Sequence, residues 1–297
     1  MEKLLQLLFS GVALGAVYAL LALGFVVVFK ATQVVNFAHA GLLMVGTYCT
    51  ARFSAAGRPF AVAVLLGIAV TVGLALVIER AFVRPVVPRS VVAVAIMTIG
   101  VDVVLLTEVT RRLGIDILPV GDPWGSATVE VLGITVPQTR VAALVVAFVV
   151  LGCFFAWARF SDWGVAMRAS AENPRTAELM GVRLGRVSAI VWVIAAVLAV
   201  VAGVFLGAFP SPGVSPTTSA AALRAFPAAI LGGLDSTGGA LAGGLLIGLA
   251  ETLTQGYQDQ FSFLGQGFSA VMPYVVMVAV LLVRPTGLFG TTEATRV

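Results

Sequence analysis

The sequence predicts an all-α polytopic integral membrane protein, and three observations carry that prediction. Of its 297 residues, 60% are hydrophobic and 11% charged, whereas globular domains run about 45–50% apolar and about 25% charged. Apolar runs of helical length recur from end to end, at roughly 4–29, 37–51, 60–79, 91–109, 141–158, 188–209, 223–255 with an interruption, and 268–283. These runs are rich in Ala, Val, Leu and Gly, and small residues let helices approach closely in a bilayer. The expectation is about eight transmembrane helices of about 20 residues each, plus broken or re-entrant segments. No block of soluble size is left over, so residues 1–297 read as a single membrane domain.

The first run, Leu4–Phe29, holds 26 residues, against about 7–15 for the apolar region of a signal peptide. No small-x-small cleavage site follows it, so it reads as a retained first helix. At about 1.5 Å per residue it spans about 39 Å, which requires tilt or protrusion. Gly11 with Gly15, and Gly239 with Gly243, form GxxxG spacings. In a helical membrane chain with 32 glycines these predict ordinary close packing of helices.

Two stretches break the helical pattern. One is Thr32–Gly41; the other runs from Phe209-Pro210-Ser211-Pro212-Gly213 through Pro216 to Gly232-Gly233. Each follows a long apolar run and precedes a short Ala/Gly-rich one. Paired interruptions of this kind point to an internal repeat with a central pathway. Asn36 is a good N-cap for a helix over Phe37–Thr47, and Thr217-Thr218-Ser219 precede an expected helix Ala220–Leu231 that stops at Gly232-Gly233. Helix N-termini inside the membrane would present free amides and a positive dipole end to a carboxylate; ordinary interfacial caps fit the same residues.

Residues of about 110–140 form an exterior loop. Its alternation Ala127-Thr128-Val129-Glu130-Val131, followed by Gly133-Ile134-Thr135-Val136, predicts a small hairpin. The longest polar segment is Arg159–Arg186, with five arginines (159, 168, 175, 183, 186) against Asp162, Glu172 and Glu178. Asn173-Pro174 reads as an N-cap with Pro at the first helical position, opening a short surface helix over Arg175–Met180 that ends at Gly181. The basic excess places this island on the cytoplasmic side, as it does the loop of Arg80, Arg84 and Arg89. Counting spans onward from the island puts Arg284 outside, against its charge, so the sequence leaves the span number open.

The net charge of +4 comes from arginine, since Lys3 and Lys30 are the only lysines. The arginines are dispersed over short loops without interleaved aromatics, which excludes a nucleic-acid partner. No G-x-x-x-x-G-K-[ST] loop for nucleotide hydrolysis is present, nor a G-x-S-x-G nucleophile elbow. One histidine and two distant cysteines, Cys49 and Cys153, predict no metal site and no disulfide. What remains is a set of polar or ionisable groups in apolar runs: Asn36, His39, Asp102, Glu108 and Glu251. Such groups are costly in hydrocarbon. They fit either a proton relay or contacts that fix helix packing.

Several segments together resemble one family. They are Gly15-Ala16-Val17-Tyr18-Ala19-Leu20-Leu21-Ala22-Leu23-Gly24 with Val35-Asn36-Phe37-Ala38-His39-Ala40-Gly41; Glu79-Arg80 with Arg84-Pro85; Met167-Arg168-Ala169 with Glu172-Asn173 and Gly181-Val182; Phe226-Pro227-Ala228-Ala229-Ile230-Leu231-Gly232-Gly233-Leu234 with Gly238-Gly239-Ala240 and Gly243-Gly244; and Arg284-Pro285-Thr286-Gly287-Leu288-Phe289-Gly290. In this order they look like the permeases of branched-chain amino acid (Liv-type) ABC importers. The chain departs from the family pattern at Ala40-Gly41, where a Gly followed by an acidic residue is usual, and at Pro227, where Ala or another small residue is frequent.

The resemblance implies a multi-pass permease subunit of the bacterial inner membrane, without enzymatic activity or cofactor of its own. Its implied partners are a second, similar permease, two cytoplasmic P-loop ATPases that bind the ATP, an exported substrate-binding protein and membrane lipid. It implies alternating-access import of leucine, isoleucine, valine or a related small amino acid. The alternatives are a urea or short-chain amide permease of the same family, and, in another class, a proton-coupled secondary transporter. It assigns Asn36, Phe37, His39, Gly41, Asp102, Gly232 and Gly233 to the translocation pathway. Residues of about 159–187 become the cytoplasmic coupling segment, with Arg168, Asn173, Ala177 and Gly181 matching the ATPase-coupling pattern.

Overall fold

The computed structural model describes residues 2–87, 90–131, 133–210, 212–215, 218–260 and 267–290. In chain order the helices are α1 (Glu2–Thr32), α2 (His39–Ala55), α3 (Phe60–Ile78), α4 (Arg84–Val86), α5 (Val91–Leu113), α6 (Gln138–Phe160), α7 (Asp162–Glu172), α8 (Pro174–Leu179), α9 (Leu184–Leu206), α10 (Thr218–Leu223), α11 (Ala225–Gly232), α12 (Thr237–Gly256) and α13 (Met272–Val283). A π-helical turn, Glu79–Val83, joins α3 to α4, and a 3₁₀ turn, Phe268–Ala270, precedes α13. Pro85 explains the wide turn: it lacks an N–H and its ring would crowd the carbonyl four residues earlier. The strands β1 (Thr128–Val131) and β2 (Ile134–Pro137) pair antiparallel as the predicted hairpin.

Among the described residues, five helices are long and apolar enough to cross a membrane: α1, the continuous run Phe60–Val86, α5, α6 and α9. Several expose large apolar side chains, including Leu65, Ile96, Val104 and Phe148 at 65–67% of their surface. In a chain of this composition such surfaces face lipid. The structure is that of an all-α polytopic membrane protein.

The chain forms two compact units, each assembled from separate segments. The first comprises Met1–Val26, Trp124–Ala147 and Leu223–Val297. Here α1 packs on α12 through glycine. A Cβ at Gly15 would lie 2.8 Å from the Leu245 Cα, and one at Gly244 would lie 2.5 Å from the Ala19 nitrogen. Gly239 and Gly243 close on α11 at Gly232 and Ala228. Both GxxxG spacings therefore serve helix packing, as expected.

The second unit comprises Val27–Pro123 and Phe148–Ala222. Its centre is the mutual packing of α2, α3 and α9, with α5 against α2. Gly46, Gly67 and Gly203 lie at these seams against Val200, Thr50 and Thr47. The buried hydroxyls of Thr47, Thr50 and Thr71 each donate to the carbonyl four residues earlier, at 2.8–2.9 Å, so none is left unsatisfied in the apolar seam.

Two expected helices differ in extent. The helix after the first break begins at His39, not Phe37, and its N-cap is Ala38, without a side-chain cap. The segment expected as one helix, Ala220–Leu231, is two, α10 and α11, parted at Arg224. Pro227 supplies the reason: in a continuous helix its ring would collide with the carbonyl of Leu223. The break therefore follows from one of the chain's own departures from the family pattern. Arg89, Ser211, Pro216 and Thr217 lie outside the described residues.

Candidate functional site

The polar cluster at the first helix break is built in the second unit by α2 and α5. Thr98 and Asp102 are four residues apart on α5 and so share one face. The Thr98 hydroxyl accepts the Phe37 amide at 3.3 Å, and the Asp102 carboxylate accepts the Gly41 amide at 2.6 Å. Gly41 belongs to the first turn of α2, whose amides have no intrahelical partner. Asp102 thus caps that turn from a neighbouring helix and also meets the positive end of its dipole. Gly41 permits the approach, since a Cβ there would lie 2.9 Å from Asp102 Oδ1.

Asn36 acts one step earlier. Its Oδ1 accepts the Ala38 amide at 3.1 Å, an Asx turn that bends the chain into α2 rather than an N-cap proper. Asn36 and His39 are each 1% exposed, and Phe37 is half-buried. The Asn36 Nδ2 and the indole Nε1 of Trp192 on α9 are buried without a hydrogen-bond partner among the described residues. Both line a small pocket shared with Thr32, Thr98 and the valines 28, 34, 83 and 94. The structure therefore brings Asn36, Phe37, His39, Gly41 and Asp102 together. Thr98, which completes the cluster, was missed in the sequence; its spacing to Asp102 in an otherwise apolar run is the signal that marks it.

Gly232 and Gly233 belong to the first unit and terminate α11. Gly232 abuts the backbone of Gly239, while Gly233 takes φ +99°, a region glycine enters freely. The closing segment docks there, with the Leu288 and Phe289 amides donating to the Leu231 and Gly232 carbonyls at 2.8 and 3.1 Å. These glycines let three pieces of backbone meet.

Of the other ionisable groups, Glu108 sits near the exposed end of α5 and pairs with Arg111 and Arg112 at 2.9 and 2.6 Å. Glu251 on α12 is buried. Its Oε2 accepts the Tyr18 hydroxyl at 2.7 Å, and its Oε1 accepts from Arg224 at 2.5 Å. Arg224 stands at the break between α10 and α11, and its side chain is 23% exposed. Sequence reading singled out Glu251 but not Arg224 or Tyr18; a lone arginine inside an apolar run is the signal that was available. In the second unit a parallel pair joins Arg84 Nε to the buried Glu79 at 3.2 Å, and Arg84 also donates to the Gly185 carbonyl.

The polar island folds as two helices, α7 and α8. The Asn173 side chain accepts the Thr176 amide at 3.0 Å and caps α8, with Pro174 next, as predicted. Gly181 takes φ +90° beyond its end, and the Val182 amide returns to the Ala177 carbonyl. Ala177 is buried, and Arg168 donates to the Ala158 carbonyl at the end of α6. These four residues hold the island's shape. Its two most exposed large apolar side chains are Leu179 and Met180, at 88% and 82%.

A family model described as "Branched-chain amino acid transport system / permease component" matches residues 7–282. The high-affinity branched-chain amino acid transport system permease protein LivH of Escherichia coli strain K12 is 34% identical over 308 residues, covering 99% of this chain and 97% of that protein. LivH of Salmonella typhimurium is 33% identical with the same coverage. BraD of Pseudomonas aeruginosa, another permease protein of that transport system, is 31% identical over 311 residues, covering 99% of this chain and 98% of BraD.

Proposed function

We propose a function from one premise: the chain belongs to the family of permease components of branched-chain amino acid transport systems. It is a multi-pass protein of the bacterial inner membrane. We read it as the transmembrane permease subunit of an ABC importer for leucine, isoleucine, valine or related small amino acids. Similarity to LivH over 99% of the chain is the observation that carries this reading.

In this reading ATP is hydrolysed in trans by two cytoplasmic P-loop ATPases. A second, similar permease completes the membrane portion, and an exported binding protein delivers substrate. The break between α1 and α2 borders the translocation pathway, with Asn36, Phe37, His39, Gly41 and Asp102 on its wall; Gly232 and Gly233, in the first unit, are pathway candidates by themselves. The burial of so many polar groups at one break supports that role. The α7–α8 island couples to an ATPase. Arg168, Asn173, Ala177 and Gly181 set its geometry, and the exposed Leu179 and Met180 supply an apolar contact suited to a groove.

The test is ATP-dependent uptake by the complete complex in proteoliposomes, with labelled leucine and competition by valine, isoleucine and urea. Displacement by the branched-chain amino acids supports the reading. Displacement by urea, with no effect of valine or isoleucine, supports an amide permease instead. ATP-independent uptake driven by a proton gradient would identify a secondary transporter.

A further inference from the structure

Three side chains from separate parts of the sequence meet in the first unit: Tyr18 on α1, Arg224 between α10 and α11, and Glu251 on α12. Glu251 joins the other two, at 2.7 Å to the Tyr18 hydroxyl and 2.5 Å to the Arg224 guanidinium. An ion pair in an apolar bundle is an expensive way to hold helices, because desolvation offsets most of its attraction. Intramembrane charges are accordingly rare and mark substrate routes. Exposure is unequal within the pair: the Glu251 side chain is 5% exposed and that of Arg224 23%. Arg224 also lies where Pro227 interrupts the helix, so its backbone is not locked into a continuous α-helical ladder.

We propose that Arg224 and Glu251 recognise the charged head of the transported amino acid, the guanidinium taking its α-carboxylate and the Glu251 carboxylate its α-ammonium. The inference rests on the amino-acid permease reading above. A zwitterion is complementary to a resident Arg–Glu pair. On binding, one internal ion pair is exchanged for two intermolecular ones, and the net charge of the site stays zero throughout. A planar guanidinium matches a carboxylate in a bidentate manner that an ammonium cannot. Tyr18 holds the second oxygen of Glu251 and keeps the carboxylate oriented while Arg224 turns to its ligand. Neutral urea offers no such exchange, so the same pair separates amino acids from uncharged amides.

The experiment measures binding of labelled leucine to the purified permease–ATPase complex by equilibrium dialysis, without binding protein. Isocaproate, which lacks the ammonium, and isoamylamine, which lacks the carboxylate, serve as half-ligand competitors. Arg224→Lys is expected to weaken leucine about tenfold to a hundredfold, the loss of one charge-assisted contact, and to leave isoamylamine unchanged. Glu251→Gln is expected to weaken leucine similarly and to leave isocaproate unchanged. Equal losses for all three ligands, or leucine binding at the parental level in both variants, would overturn the proposal and leave the pair as a helix lock. Arg224→Lys keeps the charge that holds Glu251, so it decides alone if Glu251→Gln does not assemble with the ATPases. Failure of the parent complex to bind any amino acid, with urea bound, would instead remove the amino-acid reading on which the proposal stands.

Discussion

The carboxylate of Asp102 on α5 accepts the amide of Gly41 in the first turn of α2 at 2.6 Å, across 61 positions of sequence. A helix that starts after a broken segment has amides with no internal partner, and here a second helix supplies the acceptor. Asp102→Ala leaves that amide unsatisfied and should destabilise the protein by about 1–3 kcal/mol. Asp102→Asn retains an acceptor oxygen and should cost less. Thermal unfolding of the purified protein in detergent checks the order parent, Asn, Ala; an Ala variant that melts with the parent would refute the capping role.

Glycines at the α1–α12 seam should be intolerant while others are neutral. A Cβ at Gly248 would fall on the backbone of Gly15, whereas one at Gly100 meets nothing within 4 Å. Gly248→Ala should therefore cost about 1–3 kcal/mol or more through overpacking. Gly100→Ala should be neutral, or stabilising by up to about 1 kcal/mol through helix propensity. The amount of folded protein extracted from membranes, compared across both variants, tests the contrast.

The buried Glu79 should depend on Arg84. Arg84→Ala leaves an unpaired buried carboxylate, at a cost of about 3–5 kcal/mol. Adding Glu79→Gln to it should recover much of that loss. A double-mutant cycle on unfolding free energy reads the coupling directly. Additivity of the two single changes would show that the pair contributes no coupling.

On the α7–α8 island, exposed and buried positions should separate binding from folding. Leu179→Asp or Met180→Asp should reduce co-purification of the ATPase with little change in thermal stability, because both side chains are more than four-fifths exposed. Ala177→Asp buries a charge and should lower stability itself. An ATPase retained in full by both exposed-site variants would move the docking surface elsewhere.

Legibility in the sequence followed the range of the interactions. The cap at Asn173, the stop at Gly181 and the 128–137 hairpin depend on residues within a few positions of one another, and the structure shows each. The apolar runs were equally plain, since lipid selects for composition over a whole span. Helix boundaries at the breaks were less accessible. The start of α2 moved to His39 because Asn36 forms an Asx turn instead of a cap. The split at Arg224 required the steric effect of Pro227 to be applied inside a run that otherwise looked continuous.

By itself the sequence determined an all-α membrane chain, its polar interruptions and its family, because hydrophobicity, glycine and proline act locally and on every residue alike. Tertiary structure decided which partners satisfy the polar groups at the interruptions. The partner of Asp102 was not legible until α5 placed it on the Gly41 amide, nor that of Glu251 until α12 met Arg224 and Tyr18. Where water is excluded, a buried polar group is defined by the partner that satisfies it. Those partners lie 61, 27 and 233 positions away along the chain, beyond the reach of any local pattern.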